Sequence, residues 1–389
     1  MNFSLTDDHR ALQQAAADFA YAELQAHAAR WDAESHFPID VIQRAGEAGF
    51  LGIYIPEEFG GLGLSRLSAS LIFEQLAQGC ISTTAYLTIH NMASWMIAQW
   101  GEPAVHEAWL PKLIEGRALA SYCLTEPGAG SDAANLRTRA VKDGDAYVIN
   151  GSKMFISGAG ATDVLVVMAR TGDVDSGAKG ISAFLVPADS AGITYGKNEE
   201  KMGWKSQPTR LVNFDDVRVP VEHRLGDEGD GFKLAMRGLD GGRVNIASCS
   251  LGAAQLALTL SRDYLQTRKQ FGHELATFQA LQFKLADMAT ELASARLMVR
   301  HAAWRLDQGD PEATAHCAMA KRLATDMGFQ VCNEALQLHG GYGYIKEYPL
   351  ERLVRDTRVH QILEGTNEIM RVIVARRLFA EGMIEAMQA

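Results

Sequence analysis

The stretch LQFKLADMATELASARLMV, residues 281–299, decides the reading of the fold. Leu281, Leu285, Met288, Leu292, Ala295 and Val299 recur in it at alternating steps of four and three, the apolar stripe of a helix packed against other helices. Working outward, helical spacing holds from Phe232 onward, and Asp310 followed by Pro311 predicts a helix start with a capping acid and a proline in the first turn. A four-helix bundle is expected to form the C-terminal helical domain over 231–389.

Upstream the period changes. Ala146–Asn150, Asp163–Arg170, Ile181–Pro187 and Arg210–Val219 are short, rich in β-branched residues and set apart by Gly144, Gly151, Gly158, Gly172 and Gly177. They predict a middle β domain over 119–230, a small barrel or sandwich. Before it, Leu12, Ala15, Ala16, Phe19 and Leu24 mark a first helix, Pro38 opens a second, and Ser65–Leu76 and Thr83–Trp100 give two more. An N-terminal helical domain is read over 1–118. GGLGLS at 60–65 follows no strand, so it reads as a turn and not as a phosphate loop. The expected fold is α+β and multidomain.

A chain of 389 residues with 47% hydrophobic and 22% charged residues has the make-up of an ordinary globular protein with a sizeable core. Its net charge of −10 argues against a general nucleic-acid surface, which needs clustered Lys and Arg. Cys80, Cys123, Cys249, Cys317 and Cys332 are scattered and odd in number, pointing to a reducing compartment and to no disulfide or zinc framework. MNFSLTDDHR carries acids where a targeting segment would carry bases, and no run approaching the ~18 apolar residues of a membrane span is evident. The expectation is a soluble cytoplasmic protein without membrane insertion, or a mitochondrial-matrix one if a transit peptide has been removed.

The chemistry centres on HQILEGTNEIMR, residues 360–371. Glu364 stands between the apolar pair Ile362–Leu363 and Gly365, and helical spacing resumes at Thr366. A carboxylate held in an apolar cleft gains proton affinity and suits a general base near neutral pH. The following helix N-terminus pulls the other way, so the direction of the shift stays open, and a capping or ion-pairing carboxylate fits the same spacing. GAGSDA at 128–133 formally fits a dinucleotide fingerprint, but Pro127 precedes it and a polar, strand-forming region follows, so it is rejected as such. Arg268 offers a fork of donors suited to a pyrophosphate and equally fits a solvated helix end. His339 and His360 have no ligand partners at metal spacing, and no metal site is expected.

With SYCLTEPGAGSD at 121–132, RKQFG at 268–272, QLHGGYGY at 337–344 and the Glu364 segment, the sequence resembles the acyl-CoA dehydrogenase family from about Leu5 to Leu378. GCISTTAYLTIHNM at 79–92 and RGLDGGRVNIASCSLGAA at 237–254 resemble its isobutyryl-CoA branch. The resemblance implies an FAD enzyme that dehydrogenates a short branched acyl-CoA between Cα and Cβ. Glu364 would take the α-proton, and electrons would pass on to an electron-transfer flavoprotein. Its enolate charge would meet the backbone N–H of Glu364 and a ribityl hydroxyl. It assigns flavin contacts to Tyr122, Cys123, Leu124, Thr125, Ser131, Phe155, Ile156 and Ser157. Arg268, Phe271, Gln279, Gln337, Leu338, His339, Gly340 and Gly341 would reach FAD across a subunit interface of a homotetramer. Thr366, Asn367 and Glu368 would also bind the cofactor.

Substrate contacts are implied for Ser131, Asp240, Arg243, Leu363 and Gly365, with the helix containing Ser82 to His90 shaping the acyl pocket. Some relatives carry the base just before the arginine of LDGGR; Gly242 stands there, leaving Glu364. An acyl-CoA oxidase, betrayed by peroxide release, and a colourless helical interaction protein are the competing readings.

Overall fold

The computed structural model describes residues 4–380. The chain opens with α1 (Asp7–Phe19), α2 (Ala28–Glu34), α3 (Ile39–Glu47), α4 (Arg66–Gly79), α5 (Ile81–Trp100) and α6 (Pro103–Ile114). Local chemistry starts them: Thr6 accepts the N–H of His9 at 3.2 Å and Ser65 that of Ser68 at 3.0 Å, each meeting a donor the first turn leaves free. The stripe predicted as one helix through Leu24 is α1 plus a π turn at Ala20–Gln25. There Gly79 lies so close that a Cβ on it would come 2.6 Å from the Ala20 carbonyl. Helix α5 is apolar nearly all round because it is enclosed by other elements on every side.

Strands follow: β1 (Ala120–Cys123), β2 (Arg139–Asp143), β3 (Ala146–Ser157), β4 (Val164–Arg170), β5 (Ile181–Pro187), β6 (Ile193–Tyr195), β7 (Thr209–Pro220) and β8 (Arg224–Leu225). They form one eight-stranded sheet in the order β6-β7-β3-β2-β4-β5-β8, with β1 parallel to β4. Strands β2 and β4 meet only at Arg139–Arg170, so the sheet folds over there into two halves around a shared core. Every residue of β4 is buried, and the alternation explains it. Leu165, Val167 and Ala169 fill the space between the halves, whereas Val164, Val166 and Met168 pack with residues of α5 and α6. Strand β3 runs on past the predicted Asn150 to Ser157, crossing Gly151 at φ 145° with a shift in register.

Helix α7 (Gly231–Thr267) then leads through the short hairpin β9 (Lys269–Gln270) and β10 (His273–Glu274) to α8 (Gln279–Asp307), α9 (Ala313–Leu338), α10 (Gly341–Tyr344), α11 (Leu350–Arg358) and α12 (Asn367–Leu378). The predicted stripe of α8 is in the bundle core: Met288, Leu292, Ala295 and Val299 are buried, with Leu281 and Leu285 packed at its edge. Two expectations need correcting. Helix α9 starts at Ala313, later than Asp310, because the Asp310 carboxylate accepts the N–H of Glu312 at 2.7 Å and shapes the turn before the helix. Helix α7 does contain an 18-residue window of mean hydropathy 1.3, but 72% of that window is buried inside the protein. It is the central core helix.

Candidate active site

The site is built on the turn between α11 and α12. After a 3-10 turn at Val359–Gln361, the chain reverses through Glu364 at φ 58° and Gly365 at φ 87°. A left-handed glutamate costs conformational energy and persists only where its surroundings hold it. Here Thr366 caps α12 by accepting the N–H of Ile369 at 3.3 Å, and Lys321 donates to the Gly365 carbonyl at 2.8 Å. His360 anchors the approach, with Nδ1 2.7 Å from Ser250 Oγ and Nε2 accepting from Trp204 Nε1 at 3.2 Å. It is a satisfied structural histidine.

This turn walls a cavity of about 1080 Å³. Tyr122, Leu124, Thr125 and Ser131 line it from β1 and the loop after it, and Phe155, Ile156 and Ser157 from the end of β3. Arg243 enters from α7, and Leu363, Glu364, Gly365 and Thr366 complete the wall. Strain gathers there: of the six non-glycine residues with positive φ among the described residues, Phe155, Trp204 and Glu364 all line the cavity.

Glu364 Oε2 is sealed from solvent and has no hydrogen-bond partner, as is the Tyr122 hydroxyl. Burial lifts the Glu364 carboxyl from 4.5 to about 7, against the pull of Arg243 and Lys321. Desolvation thus prevails over two cations, and the direction left open by sequence is upward. Arg243 is the stronger of the two cations in this pull, although its guanidinium is also paired with Asp240 at 2.6 Å. The position of the carboxylate depends on Gly242 of α7: a Cβ there would stand 2.4 Å from Oε2. The place from which a side chain at 242 would act and the place Glu364 occupies are the same.

Other predicted residues lie elsewhere. Cys123 alternates with Tyr122 and Leu124 and points into the sheet core. Asp240 accepts from Arg243 and from Thr314 at 2.6 Å and does not line the cavity. Asn367 turns inward to Lys321, Thr325 and Asp326, and Glu368 is exposed beside Arg371 at 3.8 Å. Phe271, Gln279, Gln337, Gly340 and Gly341 form a second, exposed group around the β9–β10 hairpin and the end of α9, with the half-buried Arg268 5.4 Å from the Tyr342 ring centre. Within it Leu338 is in the bundle core, and His339 is buried, bonded to the Ala335 carbonyl at 2.7 Å and stacked on Tyr264.

Three stretches match acyl-CoA dehydrogenase domains: the N-terminal domain over residues 6–117, the middle domain over 121–217 and the C-terminal domain over 229–379. The chain belongs to the acyl-CoA dehydrogenase family. It is 52% identical to the mitochondrial isobutyryl-CoA dehydrogenase of Bos taurus over 380 residues, 98% of this chain and 91% of that one. It is equally identical, 52% over 374 residues, to the enzyme of the same name from Dictyostelium discoideum, covering 96% of this chain and 90% of that one. The solved butyryl-CoA dehydrogenase of Megasphaera elsdenii superposes with a TM-score of 0.94 at 39% identity over 98% of this chain and all of its own.

Acyl-CoA dehydrogenases are FAD-dependent oxidoreductases, and this one has a cavity that fits such a group. Its lining combines apolar walls and the exposed flat ring of Phe155 with the hydroxyls of Thr125, Ser131 and Ser157. Sequence reasoning missed several of its residues. Lys321 sits in AMAKRLA, where it looks like a solvated charge on a helix, yet it is fully buried. Trp204 and Met202 come from the loop before β7, which carried no motif. From the expected Ser82–His90 segment of α5 the cavity takes Thr88 and Ile89, and Met92 joins them two residues beyond it; His90 itself is held by the Leu113 carbonyl at 3.0 Å and the Ala120 N–H at 3.1 Å.

Proposed function

We propose that the enzyme dehydrogenates isobutyryl-CoA to methacrylyl-CoA, with Glu364 as the α-proton base. The observation that carries the base assignment is that Glu364 lines a cavity that can hold an acyl group while its Oε2 is buried without a hydrogen-bond partner. The substrate rests on the two relatives of that name and on the apolar surfaces of Ile89, Met92, Ile246 and Leu363 around a short acyl chain.

Bound FAD supplies the acceptor for hydride from the β-carbon. Glu364 takes the α-proton onto its carboxylate, and its own backbone N–H polarises the thioester carbonyl where enolate charge grows. Arg243 keeps positive charge beside this carboxylate, and Leu363 with the α5 residues excludes water. Thr125, Ser131, Phe155 and Ser157 orient the flavin. Arg268, Phe271, Gln279, Gln337, Gly340 and Gly341 are proposed to serve the FAD of a neighbouring subunit in a homotetramer. Electrons then leave to an electron-transfer flavoprotein. A reducing compartment, cytoplasm or mitochondrial matrix, suits five buried free cysteines.

Anaerobic titration of the purified protein tests the substrate. Isobutyryl-CoA is expected to bleach the flavin faster than butyryl-, 2-methylbutyryl- or isovaleryl-CoA, by roughly 10-fold or more, as one methylene in an apolar pocket is worth about 1–3 kcal/mol. Faster bleaching by the straight chain would remove isobutyryl-CoA as the substrate, and rapid reoxidation in air with peroxide release would point to an oxidase.

The rate of bleaching is also expected to depend on pH. Only the ionised carboxylate accepts a proton, and Glu364 titrates at about 7, so the single-turnover rate should rise through an acid limb centred there. A rate that is flat from mildly acidic to mildly basic pH would rule Glu364 out as the titrating base.

A further inference from the structure

Lys321 lies inside α9 with a side chain that is 0% exposed. A buried ammonium is costly unless its donors and its charge are answered. Its Nζ donates to the Gly365 carbonyl at 2.8 Å and to Asn367 Oδ1 at 2.9 Å. These acceptors bracket Thr366, the cap of α12, and follow immediately on the left-handed Glu364. Asn367 is itself fixed, donating to Thr325 Oγ1 at 2.9 Å and Asp326 Oδ1 at 2.6 Å. Both of Lys321's acceptors are neutral, while its neighbours along the same face, Cys317, Ala318 and Ala324, are apolar and buried. An apolar side chain would suit that packing, so the ammonium needs another reason.

We propose that Lys321 is a positioning residue for the catalytic base: its ammonium clamps the 364–367 turn from the α9 side and holds the Glu364 carboxylate ionised. The inference rests on Glu364 being the base. Among the groups around that carboxylate, Lys321 and Arg243 are the two cations that favour its ionised form, and Lys321 is the one that also holds the turn. Arg243 on α7 also favours the ionised form but is shared with Asp240 at 2.6 Å, and burial pushes Tyr54, Tyr122 and Cys249 further toward their neutral forms. Facing Lys321 are the acids Glu364, Asp326 and Glu368 and the cation Arg243; burial draws its ammonium down to about 7, with Glu364 the strongest influence opposing the loss of its proton.

The test compares single-turnover flavin bleaching against pH in the holoenzyme and in Lys321→Met, Lys321→Gln and Lys321→Arg. Removing the cation raises the proton affinity of Glu364, so the acid limb of the two neutral variants should move to higher pH by about one unit, a tenfold change in affinity. Lys321→Gln keeps two donors for Gly365 and Asn367 and is the arm that decides if Lys321→Met does not fold. Lys321→Arg should leave the limb where it is even as its bulk slows turnover. A limb unmoved in the neutral variants, whether or not the rate falls, overturns the proposal, because a purely structural lysine would lower rate or melting temperature alone. Glu364→Asp provides the separate check on the base. If the wild-type limb is unchanged in that variant, it does not belong to residue 364, and it is the base assignment that fails.

Discussion

Glu364→Gln is expected to remain yellow and to take up acyl-CoA, while flavin bleaching slows by on the order of 10³-fold, the usual worth of a positioned base. The amide matches the carboxylate in shape and faces the same cavity, but its oxygen has no useful basicity and the α-proton has nowhere to go. The variant should also report on the cost of the native arrangement. Because the folded-state affinity of Glu364 lies near 7 and the ordinary value is 4.5, the folded protein binds the extra proton across that window, and wild-type stability declines as pH rises through it. Glutamine does not ionise. The variant's melting temperature should therefore match wild type below about pH 4.5, pull ahead between that pH and 7, and hold its lead above; the lead corresponds to on the order of 3 kcal/mol. Retained bleaching would take Glu364 out of its role, and a lead that does not vary with pH would mean that its ionisation carries no strain.

Gly242→Ala should give a folded, yellow and slow enzyme. The added Cβ would lie 2.4 Å from Glu364 Oε2 and 3.0 Å from its Cδ. Those atoms are the far end of a flexible side chain, so the backbone need not move. Alanine in place of a glycine inside α7 gains roughly 1 kcal/mol of helix propensity, which offsets part of the crowding. The carboxylate, however, must leave the place from which it meets the α-carbon, and a misplacement of about 1 Å can cost roughly 10²-fold in rate. Thermal melts should differ from wild type by no more than a few degrees while the bleaching rate falls. A near-native rate would show that the carboxylate has more freedom in this cavity than its contacts with Gly242 imply; a collapse in melting temperature would place the strain in α7 instead.

Much of this was readable from local pattern. The step of four and three in 281–299 is a property of the helix itself, and the residues it names are those the bundle buries. The period-2 segments became β4, β5 and parts of β3 and β7, although β1, β2, β6 and β8 passed unnoticed because they are short and borrow their stability from neighbours. The turn around Glu364 was legible too, since Gly365 and the capping Thr366 are local signals.

The sequence by itself determined the periods of the elements, the turn that carries Glu364, and the family motifs, because each depends on residues close together along the chain. Only the tertiary structure decided the proton affinity of Glu364, which is set by burial among elements far away in sequence. It also separated the predicted cofactor residues into those lining the cavity and those exposed around the β9–β10 hairpin, and turned Asn367 inward. Lys321 shows the reason most clearly. In AMAKRLA it is indistinguishable from a surface charge, and it becomes part of the site only when α9 brings it against the carbonyl of Gly365.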